Sequence, residues 1–236
     1  MLDRDARCQV CGHDAFVHDD VIWPELAREW ELSAVEQAQI DVQQGTRCHR
    51  CGTNVRSQAL ARALLQVLDC EGTLEAYVTA PPTPVPRILE INEAGSLASW
   101  LSRLEGHCRA SYPDCDMRRL PFPNGSFDLV VHSDTLEHVP TPDTALIECR
   151  RVLGARGALV FTVPVLTGRL TRSRDGLPAS FHGHPGCRDA DYLVRTEFGS
   201  DVWAHVLAAG FASCEMVPYR FPAGLALIGR PGLAAR

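Results

Sequence analysis

The chain has 236 residues, of which 45% are hydrophobic and ten are cysteine, and its formal charge is −6. This length supports one substantial domain with a smaller appendage, and an acidic balance without a basic tail argues against nucleic acid as a default partner, because phosphate contacts dominate such binding. No apolar run is long enough to cross a bilayer, and the opening MLDRDARCQVCG has no signal-peptide segment, so a cytoplasmic protein with no membrane partner is expected.

The first motif along the chain is a cysteine pair, and it recurs. Cys8-Gln9-Val10-Cys11-Gly12 and Cys48-His49-Arg50-Cys51-Gly52 are two C-x-x-C-G units. Each places two thiols on one tight knuckle, and the following glycine tolerates a left-handed backbone. Four sulfurs from two knuckles complete a closed tetrahedral site, so Cys8, Cys11, Cys48 and Cys51 are expected to hold a structural Zn2+. The competing reading is a pair of reduced dithiols; a redox role lacks the βαβ surroundings it would need. His13, His18 and His49 lie near but have no vacancy to fill. The other six cysteines are scattered singly and are expected as ordinary buried or half-buried residues.

Between the knuckles, residues 23–45 carry apolar residues at mixed helical spacing. After the second, Leu60, Leu64 and Val67 share a helical face, with Asn54 as the N-cap and Gly72 just past the end. Residues 1–78 therefore read as a zinc-binding and helical module, too short to bury a large core alone, so the metal should supply much of its stability. The proline-rich TAPPTPVP, residues 79–86, reads as a stiff linker. From Arg87 to Arg236 the patterns alternate. Strands are expected at 87–91, 107–111, 127–132, 157–163, 212–219 and 223–229, with helices at 95–104, 142–153 and 200–209. Thr141-Pro142 should open the second helix and Ser200 cap the third. The expected fold is α/β, a Rossmann-like, doubly wound, mostly parallel sheet with a small N-terminal knuckle module. Ligands in such sheets sit at the carboxyl ends of the strands, where EINEAGS and HSDTLEH would both lie.

Residues 116–165 carry an acidic residue before LPFP, then SFDLVV, LEHV, ECRRVL and GALVFTVP. Together these motifs closely resemble class I S-adenosylmethionine-dependent methyltransferases of the broad small-molecule type, "type 11"-like, over about Arg87 to Arg230. The paired knuckles followed by NVRSQALARAL resemble zinc-bearing members of that group. The resemblance implies a cofactor site for S-adenosyl-L-methionine. Glu90 matches the acidic residue ending the first strand. Asn92, Ala94 and Ser96 occupy the positions of a G-x-G-x-G turn, with Gly95 between the last two. Asp116 matches the residue that binds the adenine amino group, Met117 borders the adenine face, and His132 and Ser133 follow the fourth strand, where the cofactor's amino-acid end is held. Two departures stand out. The glycine turn is degenerate, and the usual second strand and helix are compressed into GHCRASYPDCD, leaving Ser111, Tyr112 and Asp114 as substitutes for the ribose-binding acid. Asn tolerates unusual backbone angles and the other replacements are small, so a modified working turn is expected.

Methyl transfer from a sulfonium needs alignment and exclusion of water more than it needs acid–base help. A base matters only where the nucleophile must lose a proton. Candidates fall in residues 167–199, expected as a long irregular segment. His182 is the favoured catalytic residue because it adjoins Phe181; the alternative is a surface loop in which His182 and His184 are solvated. Arg169, Arg172 and Arg174 read either as an anion-binding group or as a solvated face. Tyr192 and Glu197 are further pocket candidates. The adjacent His132, Ser133 and Asp134 cannot form a hydrolytic triad, since consecutive side chains leaving a strand diverge, and Glu137-His138 lacks the second histidine of a zinc motif. The expected function is methylation of a small-molecule acceptor, with a natural-product or sugar-like compound as one option. The alternatives are an RNA methyltransferase, for which Arg47, Arg50 and Arg56 lie close together, and a cofactor-binding scaffold without turnover. Acceptor, methylated atom and oligomeric state are left open.

Overall fold

A computed structural model describes residues 7–181 and 189–232. The amino-terminal part pairs β1 (Phe16–His18) with β2 (Thr46–Cys48) in a small antiparallel ribbon. Between them lie α1 (Pro24–Glu29), α2 (Ala34–Ile40) and a π-turn at Asp41–Gly45. Ser33 caps α2 in a reciprocal box with Glu36, which satisfies two of the helix's orphan donors. Next come α3 (Val55–Val67) and α4 (Leu74–Thr79). As expected, the Asn54 side chain caps α3, accepting from the Ser57 N–H.

The main sheet uses β3 (Ile88–Ile91), β4 (His107–Ala110), β5 (Phe127–Ser133), β6 (Leu153–Thr162) and, at the end of the chain, β10 (Ser213–Tyr219) and β11 (Gly224–Arg230). Their spatial order is β10-β11-β6-β5-β3-β4. The β4–β3–β5–β6 pairings are parallel, whereas β11 runs antiparallel to both β6 and β10. Crossovers run through α5 (Ala98–Leu101), preceded by a 3-10 turn at Gly95–Leu97, and through α6 (Pro142–Val152). Between β4 and β5 there is no helix, in agreement with the compression read from GHCRASYPDCD. All six expected strands and the helix positions recur with ends shifted by a few residues.

Two local expectations are corrected and one is refined. The third helix, α7 (Val202–Ala208), is preceded by Asp201 rather than capped by Ser200, whose hydroxyl donates to the Arg169 carbonyl. Thr141 and Pro142 do open α6 as N-cap and first residue, although the Thr141 side chain makes no cap bond; the proline simply lacks one of the N–H groups that would need a partner. Residues 167–199 are not wholly irregular: they contain β8 (Arg172–Ser173) and β9 (Thr196–Gly199), which with β7 (Val165–Leu166) form a small separate sheet.

Strand alternation sends side chains to two cores. On one face Leu129, Val131, Val160, Ile228 and Tyr219 pack with Leu60 and Leu64 of α3; on the other Val130, Leu159, Phe161 and Leu227 pack with Leu146 of α6 and Val206 of α7. Cys8, Val10 and Cys48 belong to the first cluster, so residues 7–78 and the sheet share one continuous core. Burying a Leu of α3 completely contributes about 1.5–3 kcal/mol, and this face supplies what a short knuckle module lacks. No helix among the described residues is long and apolar enough to cross a membrane.

Candidate functional site

The four knuckle cysteines converge. Their sulfurs lie within 4.8 Å of one another, with Cys8–Cys51 at 3.5 Å and Cys11–Cys48 at 3.6 Å. Those separations are far beyond a disulfide and close to the roughly 3.8 Å edge of a tetrahedron with metal–sulfur bonds of about 2.3 Å. Gly12 and Gly52 have φ of 76° and 72°, the left-handed conformation each knuckle requires. The sulfurs also have outer donors. The Cys11 N–H and the Gln58 side-chain amide both point at Cys8 Sγ, at 3.4 and 3.0 Å, an arrangement suited to thiolates. Cys8 and Cys51 share a hydrogen bond that raises the Cys8 thiol above its ordinary value and lowers that of Cys51, so one of the two readily carries a thiolate.

The second feature is a cleft of about 620 Å³ at the carboxyl ends of β3, β4 and β5. Asn92, Gly95, Ser111, Tyr112, Asp116, Met117 and Ser133, all expected cofactor residues, line it. The turn between β3 and α5 explains how few glycines suffice. Only Asn92 (φ 56°) and Gly95 (φ 55°) are left-handed, whereas Ala94 has an ordinary φ of −79°. Asn is among the residues that reach this region at modest cost, and its side chain accepts from the Tyr112 N–H at 2.9 Å, fixing the next loop. Gly95 has a second reason to lack a side chain: a Cβ there would meet Ser57 Oγ of α3 at 2.9 Å.

Three expected cofactor residues do not line the cleft. Glu90 is fully buried beneath the turn; its carboxylate accepts from the Ala94 N–H at 2.7 Å and lies 2.6 Å from His107 Nε2. It holds the turn from behind. Ala94 is itself buried in the core. His132 points into the interior against Phe161, with neither ring nitrogen hydrogen-bonded among the described residues, and burial lowers it to about 4, so it is neutral at pH 7. Alternation along β5 accounts for this, because neighbouring Ser133 takes the cleft side. Asp116 is gripped by Arg118, whose guanidinium and backbone N–H hold the carboxyl below its usual range. His182 lies outside the described residues.

The cleft also contains residues that the motif did not indicate. Arg56, two residues into α3, forms an ion pair with Asp134 at its wall, and burial lowers the guanidinium to about 10, still cationic at neutral pH. Asp134 also accepts from Thr162 and Gln44 and stands in a left-handed conformation, φ 44°. At the other end Tyr192, an expected pocket candidate, lines the cleft together with His138 and Arg195, which were not expected there; the His138 Nδ1 donates to the Leu193 carbonyl at 3.1 Å. The approach of His138 and Arg195 depends on residues 190–195 packing against the turn at 136–138, where the Arg195 N–H donates to the Glu137 carbonyl, a tertiary fact with no local signature.

The other arginines singled out in the sequence are engaged elsewhere. Arg169 pairs with Glu36 at 2.6 Å, while Arg172 and Arg174 both pair with Glu197. Their charge ties the small sheet together and to α2. Glu197 borders a separate cavity of about 30 Å³ rather than the cleft. Arg47 and Arg50 meet Asp19 and Glu75, so the basic trio near the second knuckle presents no free cationic patch.

Residues 92–161 match the family described as a methyltransferase domain. The malonyl-(acyl-carrier protein) O-methyltransferase of Geobacter sulfurreducens is 34% identical over 102 residues, 43% of this chain and 37% of that protein. The match thus spans well under half of the curated relative. Among solved structures, a SAM-dependent methyltransferase from Thermotoga maritima aligns over 73% of this chain and 91% of its own, at 16% identity and TM-score 0.41. The 1,6-didemethyltoxoflavin-N1-methyltransferase of Burkholderia thailandensis aligns over 72% and 76%, at 17% identity and TM-score 0.37.

Proposed function

We propose that this chain, which carries a methyltransferase domain, is an S-adenosylmethionine-dependent methyltransferase acting on a small-molecule acceptor. The observation that carries the reading is the cleft at the carboxyl ends of β3 and β5, walled by the Asn92–Gly95 turn and large enough for a nucleoside with an amino-acid tail. Within it, Ser111, Tyr112, Asp116 and Met117 form the adenosine end, and Gly95, Ser133 and Arg56 the amino-acid end. Arg56 is the cation suited to a carboxylate, which would share or displace Asp134. Glu90 and Ala94 serve by shaping the turn, and His132 by packing.

The bound cofactor supplies an activated methyl group. The chain's own residues bind and orient it, exclude water and present the acceptor. His138, Tyr192 and Arg195 border the acceptor end. The acceptor of the curated relative is a carrier-bound malonyl group, and a carboxylate is a reasonable first acceptor class here because Arg195 faces the cleft. Cys8, Cys11, Cys48 and Cys51 would hold one Zn2+ in a closed structural site. We read 1–78, 79–86 and 87–236 as the units of this arrangement.

The test is transfer of isotope-labelled methyl from S-adenosylmethionine across panels of carboxylic, hydroxyl and amine acceptors, with structured RNA as a parallel panel. Labelled small-molecule product supports the reading. Label found only in RNA, or cofactor binding with no product in any panel, favours the RNA or the scaffold alternative respectively.

A further inference from the structure

The first turn of α3 touches both sites. Gln58 is completely buried, and its side chain spans the knuckles: its amide donates to Cys8 Sγ at 3.0 Å and to the Thr53 carbonyl at 3.3 Å, while its oxygen accepts from the Gln9 N–H at 2.6 Å. Thr53 Oγ1 lies 3.2 Å from Cys51 Sγ. One residue earlier, Ser57 packs against Gly95, close enough that a Cβ there would sit 2.9 Å from its hydroxyl oxygen. One residue before that, Arg56 reaches the cleft and pairs with Asp134. A parallel strut runs through Gln44, which accepts from the Asn54 side chain at 3.1 Å and donates to Asp134 at 3.4 Å. Residues 53–58 are thus held at one end by sulfurs and form, at the other, part of the cleft wall.

A helix turn moves as a rigid piece, since its backbone bonds tie each residue to the fourth one along. A shift of the sulfur cluster that displaced Gln58 would carry Arg56 and Ser57 with it. We propose that Gln58 is a positioning residue for the cofactor cleft: it locks the first turn of α3 to the four-thiol centre, so that metal binding and cofactor binding reinforce each other through Arg56. This rests on the reading above, that the cysteines hold a metal and the cleft holds S-adenosylmethionine. Coupling between two sites is reciprocal: if the metal tightens the cofactor by some factor, the cofactor tightens the metal by the same factor. The knuckle module is then a part of the cofactor site rather than an appendage for binding some other partner.

The experiment measures S-adenosylhomocysteine affinity by calorimetry and metal content by elemental analysis on zinc-loaded full-length protein. Gln58→Leu should retain one metal per chain yet bind about tenfold more weakly, the scale of losing one or two hydrogen bonds that fix a charged group. Its Michaelis constant for S-adenosylmethionine should rise more than its turnover falls. Combined with Arg56→Met it should add little to the Arg56→Met effect alone, because both act through one contact. Gln66→Leu, on the exposed face of the same helix, should bind as the parent does. If Gln58→Leu does not fold, equilibrium competition with a chromophoric chelator serves instead: saturating S-adenosylhomocysteine should tighten metal retention in the parent and much less so in Arg56→Met. Parent-like affinity in Gln58→Leu, full additivity with Arg56→Met, or metal retention indifferent to the ligand would overturn the proposal. A zinc-loaded parent that does not bind the ligand at all would instead overturn the reading beneath it, and this proposal with it.

Discussion

The four-thiol centre and the cleft are neighbours built in opposite ways. All four sulfurs come from two short knuckles, each a self-contained turn of five residues, so spacing alone displays the site. The cleft draws on α3, on the turn after β3, on the loop after β4, on the end of β5 and on residues 190–195. Only pieces of it have a local pattern. Sites made of repeated short turns can be read along a chain, whereas sites made by folding distant segments together are read only where a motif marks one wall.

This contrast can be broken most forcefully at the thiols. Cys48→Ser should remove the metal and lower the melting temperature by more than about 10 °C, because a closed structural metal contributes folding free energy directly. Elemental analysis and a thermal melt check it, and an unchanged melt would reduce the cysteines to packing.

Next in size is the buried His132. Its folded pKa of about 4 lies below the ordinary value, so it binds fewer protons folded than unfolded. The sign follows: the stability associated with its neutral form is fully present above about pH 6.5 and is lost as pH falls towards 4, up to about 3 kcal/mol. Denaturant unfolding at a series of pH values should show that slope, and His132→Leu should flatten it without weakening the protein at pH 7, since an unbonded buried imidazole is replaced by an apolar group.

Arg56→Met tests the wall that the motif did not reveal. It should weaken S-adenosylhomocysteine by about 10- to 30-fold in calorimetry while leaving metal content unchanged, the loss of a charge-assisted contact. Smallest are the turn variants. Gly95→Ala should cost about 1–2 kcal/mol, from a left-handed backbone and the approach of Ser57, whereas Asn92→Gly should stay within about 0.5 kcal/mol in the same unfolding assay.

Much of the fold was legible because buried strands such as Ile88–Ile91 and Phe127–Ser133 are short apolar runs bounded by turn residues, and α3 has a clear cap and face. The β1–β2 ribbon was not legible: three-residue strands with mixed burial carry no periodicity. The small sheet of β7, β8 and β9 escaped for the same reason, and Arg169, Arg172 and Arg174 looked like a free basic group because their partners Glu36 and Glu197 lie elsewhere in the chain. At the cleft the motif located the turn, but it could not say that Glu90, Ala94 and His132 lie behind the wall. That depends on alternation and packing. Arg56 was noticed only as a member of a basic trio near a knuckle; its place in the cleft follows from α3 lying across the sheet beside Gly95.

The most direct test of the central claim is calorimetric titration of zinc-loaded protein with S-adenosylhomocysteine. The account predicts one site per chain with micromolar affinity, lost when Gly95→Trp fills the cleft wall beside Ser57. Absence of binding to a folded, metal-loaded chain would contradict it.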